Sequence, residues 1–341
     1  MENLRTMNLH LFDANVQTTL TNNTGNSLRP EMKTFYDTDL IEMAGPELVH
    51  AQFAKKVPLP KGKGKNVEWR KWTHFPKATT PLTEGVTPNG NNLNITTIEK
   101  QVSQYGDYTT LSDFLEMTAI DNVILETTSL HGKNAGLTLD TICRNEIVAG
   151  TNVRYAPKVV SGAATEVTSR ADLDTTALLT PDLVAKAAAD LKGNNAPKID
   201  GYYVAIIHPY VAYDLMRHEE WIDAAHYAGS TQLFEGEIGK LYGVRFVETT
   251  EAKVWKDDTC PKDTAVFATL FIGKEPYGDI DLQGGGLEVI VKQKGSAGSA
   301  DPLDQRSTIG WKATYATKIL IPEYIVRVET CSAYSQTAEA N

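Results

Sequence analysis

"VPLPKGKGKNVEWRKWTHFPKATTPLTEG", running from Val57 to Gly85, decides how the rest of this 341-residue chain is read. Glycines stand among lysines in its first half, and Trp69, Arg70, Lys71, Trp72 and Phe75 crowd its centre. Lysine with glycine is the material of a phosphate loop, which needs the pattern G-x-x-x-x-G-K-[ST]. Gly62 and Gly64 require a partner glycine where Val57 and Leu59 stand, and Lys65 is followed by Asn66, so the pattern fails at both ends. A dinucleotide fingerprint, G-x-G-x-x-G, begins at Gly62 and breaks at Val67. Two readings remain: nucleic-acid bases stacked on aromatic rings beside lysines, or a basic hairpin docked on an acidic protein surface.

Charge bears on that choice. Residues 55 to 77 carry eight basic side chains against the single acid Glu68, a local balance of +7, which leaves −17 for the rest of a chain whose total is −10. General nucleic-acid binders show a basic balance overall, whereas here the positive charge sits in one place on an acidic body. Val67 to Phe75 and Leu93 to Val102 have strand character, and the Pro, Gly and Asn of "PKATTPLTEGVTPNGNN" between them are turn-formers. The stretch therefore predicts a long hairpin, with arms of about 30 Å at about 3.3 Å per residue. A two-stranded hairpin is marginal in water by itself. If Trp69, Trp72 and Phe75 each bury about 150–250 Å², the gross gain at about 25 cal/mol per Å² is on the order of 10–20 kcal/mol, much of it offset by the cost of association. The arm needs a partner, its lysines call for an acidic one, and a second copy of the chain meets that need.

Elsewhere the pattern is mixed α and β. The first 34 residues show no sustained period and predict an arm. Phe35 to Phe53 predicts a helix, a break at Gly45-Pro46 and a second short helix. Thr118 to Gly150 lacks proline and spaces Ile120, Val123, Ile124, Leu130, Leu137, Ile142 and Ile147 as a helix of about 45 Å, with Gly132 and Gly136 interrupting its apolar stripe. Thr180 as N-cap, Pro181 at the first position and Gly193 as a stop frame the best-signalled helix. A buried strand at Tyr202–Ile207, a helix from Pro209, and strands at Val244–Glu248, Ala265–Ile272 and Leu287–Lys292 follow. Near the end, Ile309, Trp311, Ala313, Tyr315, Thr317, Ile319 and Ile321 fall on one face at period 2. Pro322, which cannot donate to a ladder, implies a bulge or edge position in the middle of this element.

Motifs for chemistry are wanting. Cys143, Cys260 and Cys331 fit neither a disulfide framework nor a zinc spacing, which places the chain in a reducing, cytosol-like compartment. "DIDLQG" at Asp279–Gly284 opens like a calcium loop, yet its twelfth position is Ile290, so a solvated turn is expected instead. "RHEEWIDAAH" gathers His218, Glu219, Glu220, Asp223 and His226 without an H-E-x-x-H spacing. The expectation is a non-enzyme with no catalytic residue, no cofactor and no metal. Neither a membrane span nor a signal peptide is present in the sequence.

Four blocks carry a resemblance: "FYDTDLIEMAGPELVHAQFAKKVPLPKGKGKNVEWRKW", "PKATTPLTEGVTP", "SQYGDYTTLSDFLEMTAID" and "GSAGSADPLDQRSTIGWKATYATKIL". From Phe35 to about Glu329 the chain resembles the N-four-type family of tailed-phage major capsid proteins. The resemblance implies an α+β, Hong Kong 97-like fold and a division into parts. These are an N-terminal arm (1–56), an extended loop (57–100), a peripheral domain (101–180) with its spine helix near 118–150, an axial domain (181–295), a return strand (296–331) and a C-terminal tail (332–341). It implies a homo-oligomer of pentamers and hexamers forming an icosahedral head in the virion, assembled in host cytoplasm and enclosing double-stranded DNA without sequence-specific binding. It allows scaffolding, portal and decoration proteins as further partners. Lys61, Lys63, Lys65, Trp69, Arg70, Trp72 and Phe75 are then the inter-subunit contacts of the extended loop. A nucleic-acid-binding role for the basic hairpin, or a nanocompartment shell of the same fold, are the alternatives.

Overall fold

The computed structural model describes residues 16–17, 49–87, 89–118, 123–221, 237–282, 286–296 and 301–341. The arm expected over the first 34 residues lies outside them, apart from a two-residue strand. So do the helix and break expected between residues 35 and 48 and the second half of "RHEEWIDAAH".

In chain order the elements are β1 (Val16–Gln17), β2 (Lys55–Leu59), β3 (Asn66–Trp72), β4 (Ile95–Gln101), β5 (Ser103–Ser112), α1 (Asp113–Thr118) and α2 (Val123–Val148). Then come β6 (Val153–Tyr155), β7 (Lys158–Val160), β8 (Ala163–Thr165), α3 (Pro181–Gly193), β9 (Tyr203–Ile207) and α4 (Pro209–Met216). The chain finishes with β10 (Glu237–Leu241), β11 (Val244–Glu248), β12 (Val254–Trp255), β13 (Val266–Ile272), β14 (Tyr277–Leu282), β15 (Glu288–Lys292), β16 (Arg306–Ile319) and β17 (Ile325–Thr330).

Two sheets share the core. The first runs β1-β5-β16-β14-β2, and β15 joins the same edge of β16 beyond β14. The second runs β10-β11-β9-β13-β17-β6, with β12 on β13. The period-2 face expected around Ile309–Thr317 is present: Ile309, Trp311, Ala313 and Tyr315 are buried, while Lys312 and Thr314 between them, and Thr308 before them, are partly exposed. The strand does not continue through Pro322. A 3-10 turn at Pro322–Tyr324 ends it, because proline brings no N–H to a ladder, and β17 then enters the other sheet. Two strands of the expected 181–295 segment, β14 and β15, likewise pair with β16 of the first sheet.

Asp279–Leu282 is not the solvated turn that "DIDLQG" suggested. It is the second half of β14, held between β16 on one side and β2 on the other, with Asp279 buried.

The helix expected between Thr118 and Gly150 is α2, of 26 residues, about 39 Å at about 1.5 Å per residue. Its buried stripe differs from the expected one. Leu130 points outward at 65% exposure, while Thr128, His131, Gly132, Ala135, Gly136 and Asp140 face the protein. Helix and sheet backbones meet closely there, and small side chains permit it. The Trp311 indole donates to Asn134 Oδ1 at 2.9 Å and anchors the contact. Further along, Cys143, Ile147 and Val148 pack against Val204, Ile206, Leu270 and Ile272 of the second sheet, so this one helix is wedged into both sheets. Gly150 does not cap it alone: Arg327 Nη1 donates to the carbonyls of Val148 and Gly150.

On the other side of the second sheet lies α3. Thr180 Oγ1 accepts from Leu183 N at 3.4 Å, and Leu183, Val184, Ala187, Ala188 and Leu191 are all buried, as the sequence predicts. Covered by α2 on one face and by α3 and α4 on the other, β9 is buried at every residue. That explains its unbroken apolar run.

Candidate functional site

The expected hairpin exists. β3 and β4 pair antiparallel from Asn66 with Gln101 to Trp72 with Ile95, and single bonds extend the ladder at each end, Val102 N to Lys65 O at 2.9 Å and Thr73 N to Asn94 O at 3.1 Å. Seven residues reach about 23 Å, less than the expected 30 Å, because the prolines and glycines of residues 73–94 keep the tip free of strand. At the other end, residues 60–65 form the turn from β2 into β3. Gly62 (φ 83°) and Gly64 (φ 89°) hold left-handed backbone in open space, so glycine is needed there for conformation and no phosphate cradle is formed.

The seven residues expected to form one site are divided by this geometry. Lys61, Lys63 and Lys65 lie in the root turn, exposed, and none pairs with an acid among the described residues. Trp72 and Phe75 lie at the outer end, 56% and 54% exposed, more than 20 Å from the root by the length of the ladder. Arg70 is exposed and donates to Glu68 Oε1 at 2.9 Å, a bond that raises the pKa of the guanidinium. Trp69 departs from the expectation: its ring is half-buried on its own chain.

Trp69 sits with Val67 and Val102 against Val57, Leu59, Ile280 and Ala316. β14 offers Gly278 beneath the ring, and a Cβ at that position would stand 2.9 Å from Trp69 Cζ2. A second fixing point lies lower. Glu146 of α2 receives Lys100 of β4 on Oε2 and Lys318 of β16 on Oε1, each at 2.9 Å. Burial alone would raise the Glu146 pKa, but the two lysine hydrogen bonds and charges outweigh it and leave the pKa below its ordinary value. Exposed pairs add to this, Lys71 with Glu323 at 3.7 Å and Lys55 with Glu275 at 3.6 Å, and are worth little individually. Sequence reasoning passed over Gly278 and Glu146. An isolated glycine within a strand pattern is a signal of close approach, and "YGDIDL" contains one.

The segment before the hairpin is also fixed. His50 is fully buried, its N–H and Nδ1 bonded to Asp140 Oδ1 and Oδ2 at 2.7 and 2.6 Å, and its carbonyl accepts from the Tyr277 hydroxyl. Burial pushes the Cys143 thiol well up and the Cys331 thiol up to about 12, which leaves both protonated and unreactive at neutral pH. Among the described residues, no three His, Cys, Asp or Glu side chains are grouped to hold a metal, and no helix is long and apolar enough to cross a membrane. A cleft of about 630 Å³ on the first sheet, lined by Tyr108, Thr308, Gly310 and Lys312, is open to solvent.

Comparison with known proteins follows this geometry. Residues 95–328, well over half of the chain, match the family model described as phage capsid protein. No curated protein matches the sequence. Solved structures are similar in fold. The capsid of Ralstonia phage GP4 superposes with a TM-score of 0.63 at 12% identity, covering 96% of this chain and 98% of that one. The capsid of cyanophage P-SCSP1u gives 0.62 at 16% identity over 84% and 89%, and that of cyanophage Pam1 gives 0.61 at 12% over 97% and 100%.

Proposed function

Because this chain belongs to the phage capsid protein family, with its Hong Kong 97-like fold, and is thereby a structural subunit of a phage head, we propose that its hairpin is the clasp joining each subunit to the next. One observation carries this. The lower half of the hairpin is packed by its own chain, whereas the upper half leaves Trp72, Phe75, Leu82, Val86, Leu93 and Ile95 exposed. Exposed apolar side chains gathered on one element mark a contact, and a subunit that forms shells has its own copies as neighbours. The tip supplies area on one neighbouring surface, and the root lysines, more than 20 Å away by ladder length, meet acidic groups on another.

Under this reading residues 1–56 are an arm, 57–100 the extended loop, 101–180 and 296–331 the peripheral domain, and 181–295 an axial domain, except that β14 and β15 pair with the first sheet and β17 with the second. Copies of that axial domain meet around pentamers and hexamers of an icosahedral head. The shell encloses double-stranded DNA without reading its sequence, assembles in host cytoplasm, and has no catalytic role. Scaffolding, portal and decoration proteins are its further partners. The nucleic-acid reading keeps only part of its cations beside the exposed aromatics. Arg70, Lys71 and Lys77 stand near Trp72 and Phe75, Arg70 and Lys71 are paired with Glu68 and Glu323, and Lys61, Lys63 and Lys65 lie at the other end of the hairpin, whereas stacking on single strands needs aromatics and cations along one groove.

The test replaces Trp72 and Phe75 with serine. Both side chains are more than half exposed, so the subunit should fold with unchanged stability, and electron microscopy should show loss of closed particles. Parental shells from the double variant contradict the clasp.

A further inference from the structure

The hairpin is held against the body by contacts within one chain, chief among them the seat of Trp69 and the Glu146 pairs, to which the exposed Lys71–Glu323 pair adds little. Trp69 rests over Gly278, which in register stands between Lys55 of β2 and Lys318 of β16. Gly278 has no left-handed φ, so the backbone does not demand glycine there. What demands it is the ring: a Cβ would meet Trp69 Cζ2 at 2.9 Å and Leu320 Cδ1 at 3.2 Å, both closer than side chains normally approach. Beside this seat, Glu146 ties β4 of the hairpin to α2 and, through Lys318, to the sheet.

We infer that Gly278 and Glu146 are positioning residues which fix the hairpin's angle and, through it, the curvature of the shell. The inference rests on the reading of the hairpin as the clasp between copies. Trp69 is the last side chain of β3 held by the chain's own sheet, and the exposed tip begins at Trp72, about 10 Å further on. The hairpin is therefore a lever whose fulcrum is the seat, and a small tilt at Gly278 becomes a larger displacement where a neighbour is gripped. In head-to-tail assembly the rotation from one copy to the next decides whether an array closes and at what size.

The experiment compares the unsubstituted chain with Gly278→Ala, Trp69→Leu, the Gly278→Ala/Trp69→Leu pair, and Glu146→Gln, under conditions in which the unsubstituted chain forms shells. Far-ultraviolet circular dichroism checks folding, and electron microscopy reads particle diameter. Gly278→Ala should remain folded and shift the particle diameter or give open sheets. Shortening the ring in the paired variant should move the diameter back toward the parental value, because it removes the atoms that the added methyl meets at 2.9 Å and leaves only the flexible end of Leu320 to give way. Glu146→Gln, which adds no bulk, should broaden the diameter distribution, and it keeps the inference open to test if Gly278→Ala fails to fold. Parental diameters from both Gly278→Ala and Glu146→Gln overturn the inference while leaving the clasp intact. If the unsubstituted chain forms no shells with any assembly partner, the reading beneath it fails instead.

Discussion

Glu329 has no exposed surface, yet it holds two cations. Arg170 donates to both its oxygens at 2.6 and 2.8 Å and stacks 3.7 Å from the Trp255 ring centroid, while Arg327 donates to Oε1 at 2.8 Å and also reaches the end of α2. Removing one member of such a group leaves charges without their counterpart, which costs about 3–5 kcal/mol. Glu329→Ala should therefore lower the urea unfolding free energy by about that amount, and a loss under 1 kcal/mol, on the order of an exposed pair, speaks against the network. Glu146 gives a different signature. Its folded pKa lies below the unfolded value of about 4.3 because Lys100 and Lys318 favour the carboxylate over the opposing effect of burial. The stabilisation is present at neutral pH and disappears as pH falls through the depressed folded value. Thermal melts from about pH 7 to 3 should show the unsubstituted chain losing more stability in acid than Glu146→Gln, which starts about 1–2 kcal/mol less stable. Neither acid stands out in sequence, since Glu146 finds both lysines, and Glu329 its Arg170, in distant segments.

Among the elements, α2 and the hairpin show what periodicity can and cannot say. The helix between Thr118 and Gly150 was legible because no proline breaks it, and the start of α3 was legible to the residue because Thr180 and Pro181 each have a local role, while its end takes in Gly193 and is capped at Asn194. The buried face of α2 was not. Hydropathy favoured Leu130, whereas a helix packed tightly on a sheet turns its smallest residues inward, and Gly132 and Gly136, which looked like interruptions, belong to the contact. Ala135 is fully buried against Trp311, Val289 and Ala313. Ala135→Leu should thus destabilise by about 1–3 kcal/mol through overpacking, and Leu130→Ala should change the folded monomer by less than about 0.5 kcal/mol. The reverse order in denaturant titrations would restore the hydropathic stripe. In the hairpin, alternation and turn residues located both strands, but which aromatics the chain keeps for itself depends on Gly278, far along the sequence. So Trp69 was grouped with Trp72 and Phe75 although only the latter two remain uncovered.

For the whole molecule, charge and shape agree with membership of the phage capsid family. Under the clasp reading, the basic turn at Lys61, Lys63 and Lys65 faces the acidic body of a neighbouring copy. Exchanging these lysines for glutamate should leave the melting temperature unchanged, since all three are exposed and surface changes of this kind fall within about 0.5 kcal/mol each. Light scattering should then show slower assembly, and high salt should slow the unsubstituted chain in the same direction. Equal assembly rates remove the lysines from the contact. The most direct test of the account is a cryo-electron microscopic reconstruction of the assembled particle. It should show a closed shell in which residues 73–94 of each hairpin lie ordered against a neighbouring subunit, with Trp72 and Phe75 buried there; a closed shell whose hairpin tips project into solvent would contradict it.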